Sequence, residues 1–418
     1  MKFSASLIRR KAVSVAVLTA SAVTLAGCAL QGGNSSGKDE VLLGICREAV
    51  PDKRTEVCEI REETPSDGGT AERILITTDA HAARLAVEAP ARVRLLPDDE
   101  AGKTPWALVR VPIAEFKTKP AFSAPQTTQA VMGTPLQLLE TVNGWRRVRL
   151  PEGYIAWVRG NQVSLLTEEA LFRFSTEPKI IVTVPETPMT DDAGRPAGVL
   201  PAGAVALSAE RRDGRVAAAL PDGRKVRIRE TDVMDLNRFR HENAVLRGKD
   251  KEAFFEAVTA TARSLIGRSY LWGGTTTAGA DCSGFVSVVF RLCDIILPRD
   301  SDQMAGIGVR DEGPDAWKRA EAGDLLFFGR SKGEDFASRV SHVGISLGNG
   351  RFIHSLGDVH EASFIETDPD YDAYERNRFI GRVRLDPADF DNPCMTTTGS
   401  NRLYGVPPAA PERCRLKR

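Results

Sequence analysis

A cysteine that opens an apolar helix is a candidate nucleophile, and Cys282 stands in that position. Asp281 before it is a natural N-cap residue, and Val286, Val289 and Cys293 follow at helical spacing on the face of Cys282. A helix from about Cys282 to Asp294 is therefore expected. Its N-terminus favours a negative sulfur, and a thiolate is the reactive form of cysteine. The thiol also needs a base, for which histidine is the usual choice. Five histidines are present, at 81, 241, 342, 354 and 360. His342 and His354 are 354 − 342 = 12 residues apart, around the turn Gly348-Asn349-Gly350. Two strands joined there lie side by side, so one imidazole can serve the thiol while the other orients it. A lone histidine is usually a surface or core residue; two on facing strands after a helix-capping cysteine point to catalysis. Cys282, His342 and His354 would also suffice as three zinc ligands, but Cys-x-x-Cys and His-x-x-x-His spacings are missing. No metal and no cofactor are expected.

The elements that must position these residues read as an α+β unit over 248–390. Phe254, Phe255, Val258, Ala262, Leu265 and Ile266 mark an amphipathic helix ahead of the Cys282 helix. Strands follow at Asp324–Phe328, Val340–Leu347, Arg351–His354 and Phe379–Leu385. Upstream, 118–167 reads as short alternating strands separated by Gly133-Thr134-Pro135, Asn143-Gly144 and Glu152-Gly153. Asn-Gly between alternating runs is a strong hairpin signal, and such strands suggest a small barrel. Residues 168–245 read as a second barrel with turns at Asp213-Gly214 and Asp222-Gly223, without a clear repeat. Residues 40–117 carry a helix-like stretch and strand-like pieces of unassigned type. The segment 391–418 is a Pro-rich tail that should wrap the surface.

The catalytic motifs are recognisable. Tyr270-Leu271-Trp272-Gly273-Gly274-Thr275 and Ala280-Asp281-Cys282-Ser283-Gly284-Phe285-Val286 resemble the signature of NlpC-type (NlpC/p60) cell-wall cysteine peptidases. Ala322-Gly323-Asp324-Leu325-Leu326-Phe327-Phe328 and Ser341-His342-Val343-Gly344-Ile345 follow in that family's order. The resemblance implies a papain-like fold with Cys282 as nucleophile, His342 as base and His354 as orienting third member. It also implies that Tyr270 helps the Cys282 amide bind the oxyanion, with Asp281 and Ser283 in the substrate-binding set. Trp272 reads as core packing and Asp324 as a turn residue. The order Gln129 to Met132, Gly144-Trp145, Gly153-Tyr154 and Trp157 resembles a bacterial SH3-like domain. The whole is thus expected to be multidomain, with small all-β SH3-like barrels before the papain-like unit.

Leu297-Pro298-Arg299-Asp300-Ser301, together with the barrels, resembles a narrower branch. Its members hydrolyse γ-D-glutamyl-L-diamino-acid bonds in peptidoglycan stem peptides with a free N-terminal L-Ala. The resemblance implies that Asp300 and Ser301 bind the alanine end and that Tyr154, with a barrel acid, closes the pocket. The turn matched to that acid, Gly133-Thr134-Pro135, holds no carboxylate. A free ammonium wants a carboxylate partner; alternatively, Asp300-Ser301 merely caps a helix.

Composition narrows the remaining choices. Lys plus Arg and Asp plus Glu both total 56 in 418 residues, so charge gives no reason to expect a nucleic-acid partner. Residues 1–27 read as an export signal, with Lys2, Arg9, Arg10 and Lys11 before an apolar run. Leu25-Ala26-Gly27-Cys28 resembles a bacterial lipobox, which implies lipidation of Cys28, a tether over 28–39 and attachment to a membrane. Ala29 differs from the Asp of an inner-membrane retention signal, so a two-membrane cell would hold the protein on the periplasmic face of its outer membrane. Export permits disulfides among Cys46, Cys58, Cys394 and Cys414, with Cys293 as a buried thiol. Two other functions remain open: a papain-like amidase or acyltransferase, and a non-enzymatic wall-binding lipoprotein.

Overall fold

The computed structural model describes residues 35–63, 70, 72–88, 92–330, 335–387, 390 and 393–405. Cys28, the export signal and Cys414 lie outside them. Among the described residues no helix is long and apolar enough to cross a membrane.

The N-terminal unit pairs helices α1 (Ser35–Ala49) and α2 (Ala80–Glu88) with strands β1 (Cys58–Glu63), β2 (Glu72–Thr77) and β3 (Arg92–Leu95) in one sheet. A disulfide joins Cys46 to Cys58, tying α1 to β1. Cys394 is disulfide-bonded as well, and Cys282 and Cys293 are free. The unit rests on the first barrel through Glu140, which is fully buried there and holds Arg61, Arg94 and Arg147.

The first barrel contains β4 (Trp106–Val109), β5 (Ile113–Lys117), β6 (Gln126–Val131), β7 (Pro135–Val142), β8 (Trp145–Arg149), β9 (Ile155–Arg159) and β10 (Val163–Leu166). Their spatial order is β10-β4-β7-β8-β9-β5-β6. The barrel therefore starts before residue 118, because β4 and β5 supply two of its strands; that boundary is corrected. After α3 (Glu168–Thr176) the second barrel contains β11 (Lys179–Val182), β12 (Glu186–Thr190), β13 (Pro196–Pro201), β14 (Val205–Arg212), β15 (Arg215–Ala219), β16 (Lys225–Arg229) and β17 (Val233–Asp235). Read from β17, its order is β17-β11-β14-β15-β16-β12-β13, the topology of the first barrel strand for strand. The turns repeat too. Asn143 and Asp213 (213 − 143 = 70) both take left-handed backbone and each precedes a positive-φ glycine. The two barrels are thus a structural repeat that the sequence reading had not recognised.

Helix α4 (Leu236–Lys249) leaves the second barrel and runs past residue 245, so that boundary falls inside a helix. Helix α5 (Lys251–Arg263) is capped by Asp250 and buries Phe254, Phe255, Val258 and Ala262 as the spacing requires. A short hairpin, β18 (Thr275–Thr276) and β19 (Gly279–Ala280), leads into α6 (Cys282–Leu292). α6 stops before Asp294, which takes a positive φ. After α7 (Ser301–Met304) comes a sheet of β20 (Val309–Glu312), β21 (Leu325–Gly329), β22 (Val340–Gly348), β23 (Arg351–Leu356), β24 (Asp358–Ser363) and β25 (Phe379–Arg384). Helix α8 (Phe336–Arg339) precedes β22, and α9 (Ala373–Arg378) precedes β25. The order is β20-β25-β21-β22-β23-β24, antiparallel throughout. One core joins α5 and α6 to this sheet through Phe254, Phe285, Val289, Phe327, Val343 and Ile353. The expected α+β unit is present, with β20 and β24 as strands the sequence reading missed.

Candidate active site

Cys282 is the first residue of α6, and its neighbours fix that helix end. The Asp281 carboxylate accepts from the amides of Gly284 at 2.7 Å and Gly273 at 3.0 Å. Arg299 braces the cap from below, donating to Asp281 at 2.6 and 3.2 Å, to Ser283 Oγ at 2.8 Å and to Thr128 of the first barrel at 3.1 Å. Arg299, Asp281 and Ser283 are all buried. Asp281 and Ser283, expected in the substrate-binding set, also bond Arg299, and through it they hold the first turn of α6 in place. A buried, fully hydrogen-bonded ion pair of this kind fixes geometry.

The sulfur lies against β22, where the Val343 amide donates to it, as does that of Ser283. Burial pushes the thiol up to about 11, with Asp281 adding to the effect and the two amides and Arg299 opposing it. Burial pushes His342 down to about 3, helped by the other histidines and Arg378. Burial thus favours a thiol at Cys282 and a neutral imidazole at His342, a ring able to take up a proton. Tyr270 feels Cys282 electrostatically, and burial raises its phenol to about 12, which keeps it a proton donor. The first-turn amides of α6 have no partner within the helix, so the Cys282 N–H and the Tyr270 hydroxyl are the donors available for an oxyanion.

His342 and His354 sit on adjacent strands, with Gly344 opposite His354. His342 Nε2 and His354 Nδ1 are 2.8 Å apart and both rings are buried. Glu375 on α9 places an oxygen 4.0 Å from His342 Nε2 and is held by Arg378 at 2.6 Å. Burial lifts this carboxyl to about 7. His342, His354 and Glu375 present ligand atoms within 4.8 Å of one another. Two nitrogens at 2.8 Å share a proton, however; ligands about 2.0–2.1 Å from one tetrahedral zinc stand farther apart than that. The spacing is that of a hydrogen bond.

The acidic subsite contains Asp300 and Ser301, at the start of α7, where Asp300 makes a capping box with Gln303. The capping role weighed for Asp300 is thus present, and its carboxylate also acts on the phenol of Tyr154. The Tyr154 ring is buried, its hydroxyl lies 2.8 Å from Thr127 Oγ1, and burial with Asp300 nearby raises it to about 12. Burial likewise raises Asp300, against the pull of Arg299 and Arg54. Arg54 was not foreseen. It reaches from the N-terminal unit and donates to Asp300 at 2.9 Å, to both oxygens of Asp302 at 2.8 Å, and to Asp52. Its local partner Asp52 gives no sign of this role, since Asp300 and Asp302 lie about 250 residues away in sequence. Glu152, in a barrel turn, is a second acid that feels Arg299 and Asp300, and burial raises it.

Two further expectations are corrected. Trp272 is 70% exposed, because its backbone is held by Gln126 and the next amide by Asp281, which turns the ring outward. Asp324 is no simple turn residue: fully buried, it pairs with Arg382 and Arg384 of β25.

Residues 267–382 match the NlpC/P60 family, and residues 118–163 the bacterial dipeptidyl-peptidase Sh3 domain. A γ-D-glutamyl-L-lysine dipeptidyl-peptidase of Bacillus cereus is 27% identical over 240 residues, covering 54% of this chain and 66% of its own. Its namesake in Bacillus subtilis is 36% identical over 100 residues, covering 24% and 31%. The chain thus spans less than two thirds of the length of these curated relatives. The crystal structure of an NlpC/P60 family protein from Bacillus cereus superposes with a TM-score of 0.54 at 20% identity, covering 68% of this chain and all of that one. That likeness carries the fold: barrels in front of a papain-like unit.

Proposed function

We propose that this chain, whose residues 267–382 form an NlpC/P60 domain, is a cysteine endopeptidase of peptidoglycan stem peptides. It cuts the γ-D-glutamyl-L-diamino-acid bond of peptides that begin with a free L-Ala. The observation that carries the bond is the acidic subsite. Asp52, Asp300 and Asp302 surround one guanidinium, Arg54, while Arg299 is matched by Asp281. Three carboxylates against one cation leave an excess of negative charge beside Tyr154, and a small ammonium is its natural complement. The names of the two Bacillus relatives point to the same bond.

In the reaction, His342 takes the proton of Cys282 as the sulfur attacks the γ-carbonyl. The oxyanion meets the Cys282 amide and the Tyr270 hydroxyl. His342 returns the proton to the leaving amine, and water then releases the acyl group from sulfur. The test is product identity by mass spectrometry on a defined L-Ala-γ-D-Glu-diamino-acid peptide. Release of the L-Ala-γ-D-Glu dipeptide is expected; a cut at another bond contradicts the assignment. The lipobox-like Cys28 adds a lipid anchor to the proposal, and a Cys28→Ala protein that still fractionates with membranes contradicts that part.

A further inference from the structure

The hydrogen-bonded histidines do not stop at His354. His354 Nε2 lies 3.0 Å from His360 Nε2, and His360 Nδ1 lies 2.9 Å from Asp358 Oδ1 and 3.2 Å from the Asp358 carbonyl oxygen. The sheet builds this line. β22, β23 and β24 are neighbours, and His354 is directly opposite His360 in the register. The line runs from a buried base to a half-exposed ring, with 40% of the His360 side chain and 56% of Asp358 accessible. No motif of the resemblance includes His360 or Asp358.

We propose that Asp358 and His360 are positioning residues that set the tautomer of the base His342 from the protein surface. The inference rests on the reading of Cys282 and His342 as the reacting pair. A neutral imidazole has one N–H and one bare nitrogen. His360 Nδ1 faces two oxygens, so it carries the hydrogen and Nε2 is left to accept. His354 must then donate from Nε2 and accept at Nδ1. His342 must donate from Nε2, which leaves Nδ1 bare. Nδ1 is the nitrogen that remains for the Cys282 proton. One carboxylate thus directs three rings, and each link follows from the one before it.

The surroundings keep the line neutral and in this direction. Burial and the neighbouring rings disfavour a second proton on His342 and His354. Phe328 packs against His342 and Phe352 against His354. The charged groups acting on His342 are Glu375, Arg378 and Asp372. Glu375 is the only acceptor among them near Nε2, and at 4.0 Å it does not compete with His354 at 2.8 Å.

Ring-nitrogen NMR of the full chain, paired with kcat over a pH series on a soluble stem peptide, tests the proposal. The wild-type His342 signal is expected to show protonated Nε2 and bare Nδ1. His360→Ala should give mixed tautomers at His342 and lower kcat by about ten- to a hundredfold, with the acid limb of the profile displaced and little change in KM. His360→Gln should restore the direction, because its amide oxygen accepts from His354 and its NH2 donates to Asp358. A His360→Ala enzyme with the wild-type tautomer and pH profile overturns the relay. If that variant unfolds, tautomer and profile in the well-folded Gln variant decide: a fixed direction supports the relay, and a mixture contradicts it. Turnover that survives Cys282→Ala would instead defeat the underlying peptidase reading, so the two failures are distinct.

Discussion

Cys282 sits where helix, strand and base converge, and its substitution separates chemistry from folding. Cys282→Ala should abolish turnover on a stem peptide while leaving the melting temperature within about 2 °C, since one sulfur makes little difference to packing. Retained turnover would refute the thiol mechanism. Glu375 gives a second prediction at this scale, in stability. Its carboxyl titrates near 7 in the folded protein against 4.5 when free. The folded state then holds the extra proton between those values, so this group's contribution to stability falls as pH rises from 4.5 to 7. Glu375→Gln lacks that loss. Urea unfolding at both ends of the window should show the variant gaining on wild type by about 1–3 kcal/mol toward pH 7; parallel curves contradict the buried acid. The placement of Cys282 at a helix start and of His342 and His354 on adjacent strands was legible in sequence, because helix capping and strand spacing are local signals; Tyr270 entered only through the resemblance. Arg54, Arg299 and Glu375 were not, because their partners are set by tertiary contacts.

At the scale of elements, the decisive contact is between the first turn of α6 and the loop before β18. A Cβ on Gly284 would lie 1.9 Å from the Gly274 carbonyl oxygen and 3.0 Å from Asp281 Oδ1. The nearest obstacle is backbone and cannot swing aside. Gly284→Ala should cost at least about 1–3 kcal/mol by overpacking and should lower kcat with it, because the sulfur rides on that turn. Scanning calorimetry with parallel kinetics checks this, and wild-type values for both would show that α6 is free to shift. Helices α5 and α6 and the strands bearing the two histidines follow from apolar period and turn residues. The barrel repeat was harder to read: most core residues differ between the copies, and the spacing of 70 survives at scattered positions, such as Gly133 and Gly203, Asn143 and Asp213, Leu150 and Leu220, Gly153 and Gly223, and Val163 and Val233. Strand β24 was missed because Asp358–Ser363 carries charged and polar residues among its apolar ones, and pairing with β23 decides its state.

Across the whole molecule, four separate parts meet around one small subsite. The N-terminal unit brings Arg54, the first barrel brings Tyr154 and Thr128, the catalytic unit brings Arg299 and Asp300, and the tail reaches the barrel through Asn401 and the Pro151 carbonyl. The first barrel packs on the catalytic unit through Thr128 and Gln129, which bond Arg299 and Thr275. A blocked peptide would bring no ammonium to the Asp300 cluster, which holds Arg54 but more acids than bases; losing such a charged partner typically costs about 1–3 kcal/mol, or roughly tenfold to a hundredfold in rate. On the function proposed above, the barrels would restrict cleavage to short peptides with a free amine. The most direct test is the ratio of kcat/KM on L-Ala-γ-D-Glu-diamino-acid peptide to that on its N-acetylated form, in wild type and Tyr154→Ala. A ratio of about ten or more is expected in wild type, with a clear fall toward one in the variant. Equal rates on the two peptides in wild type would contradict it.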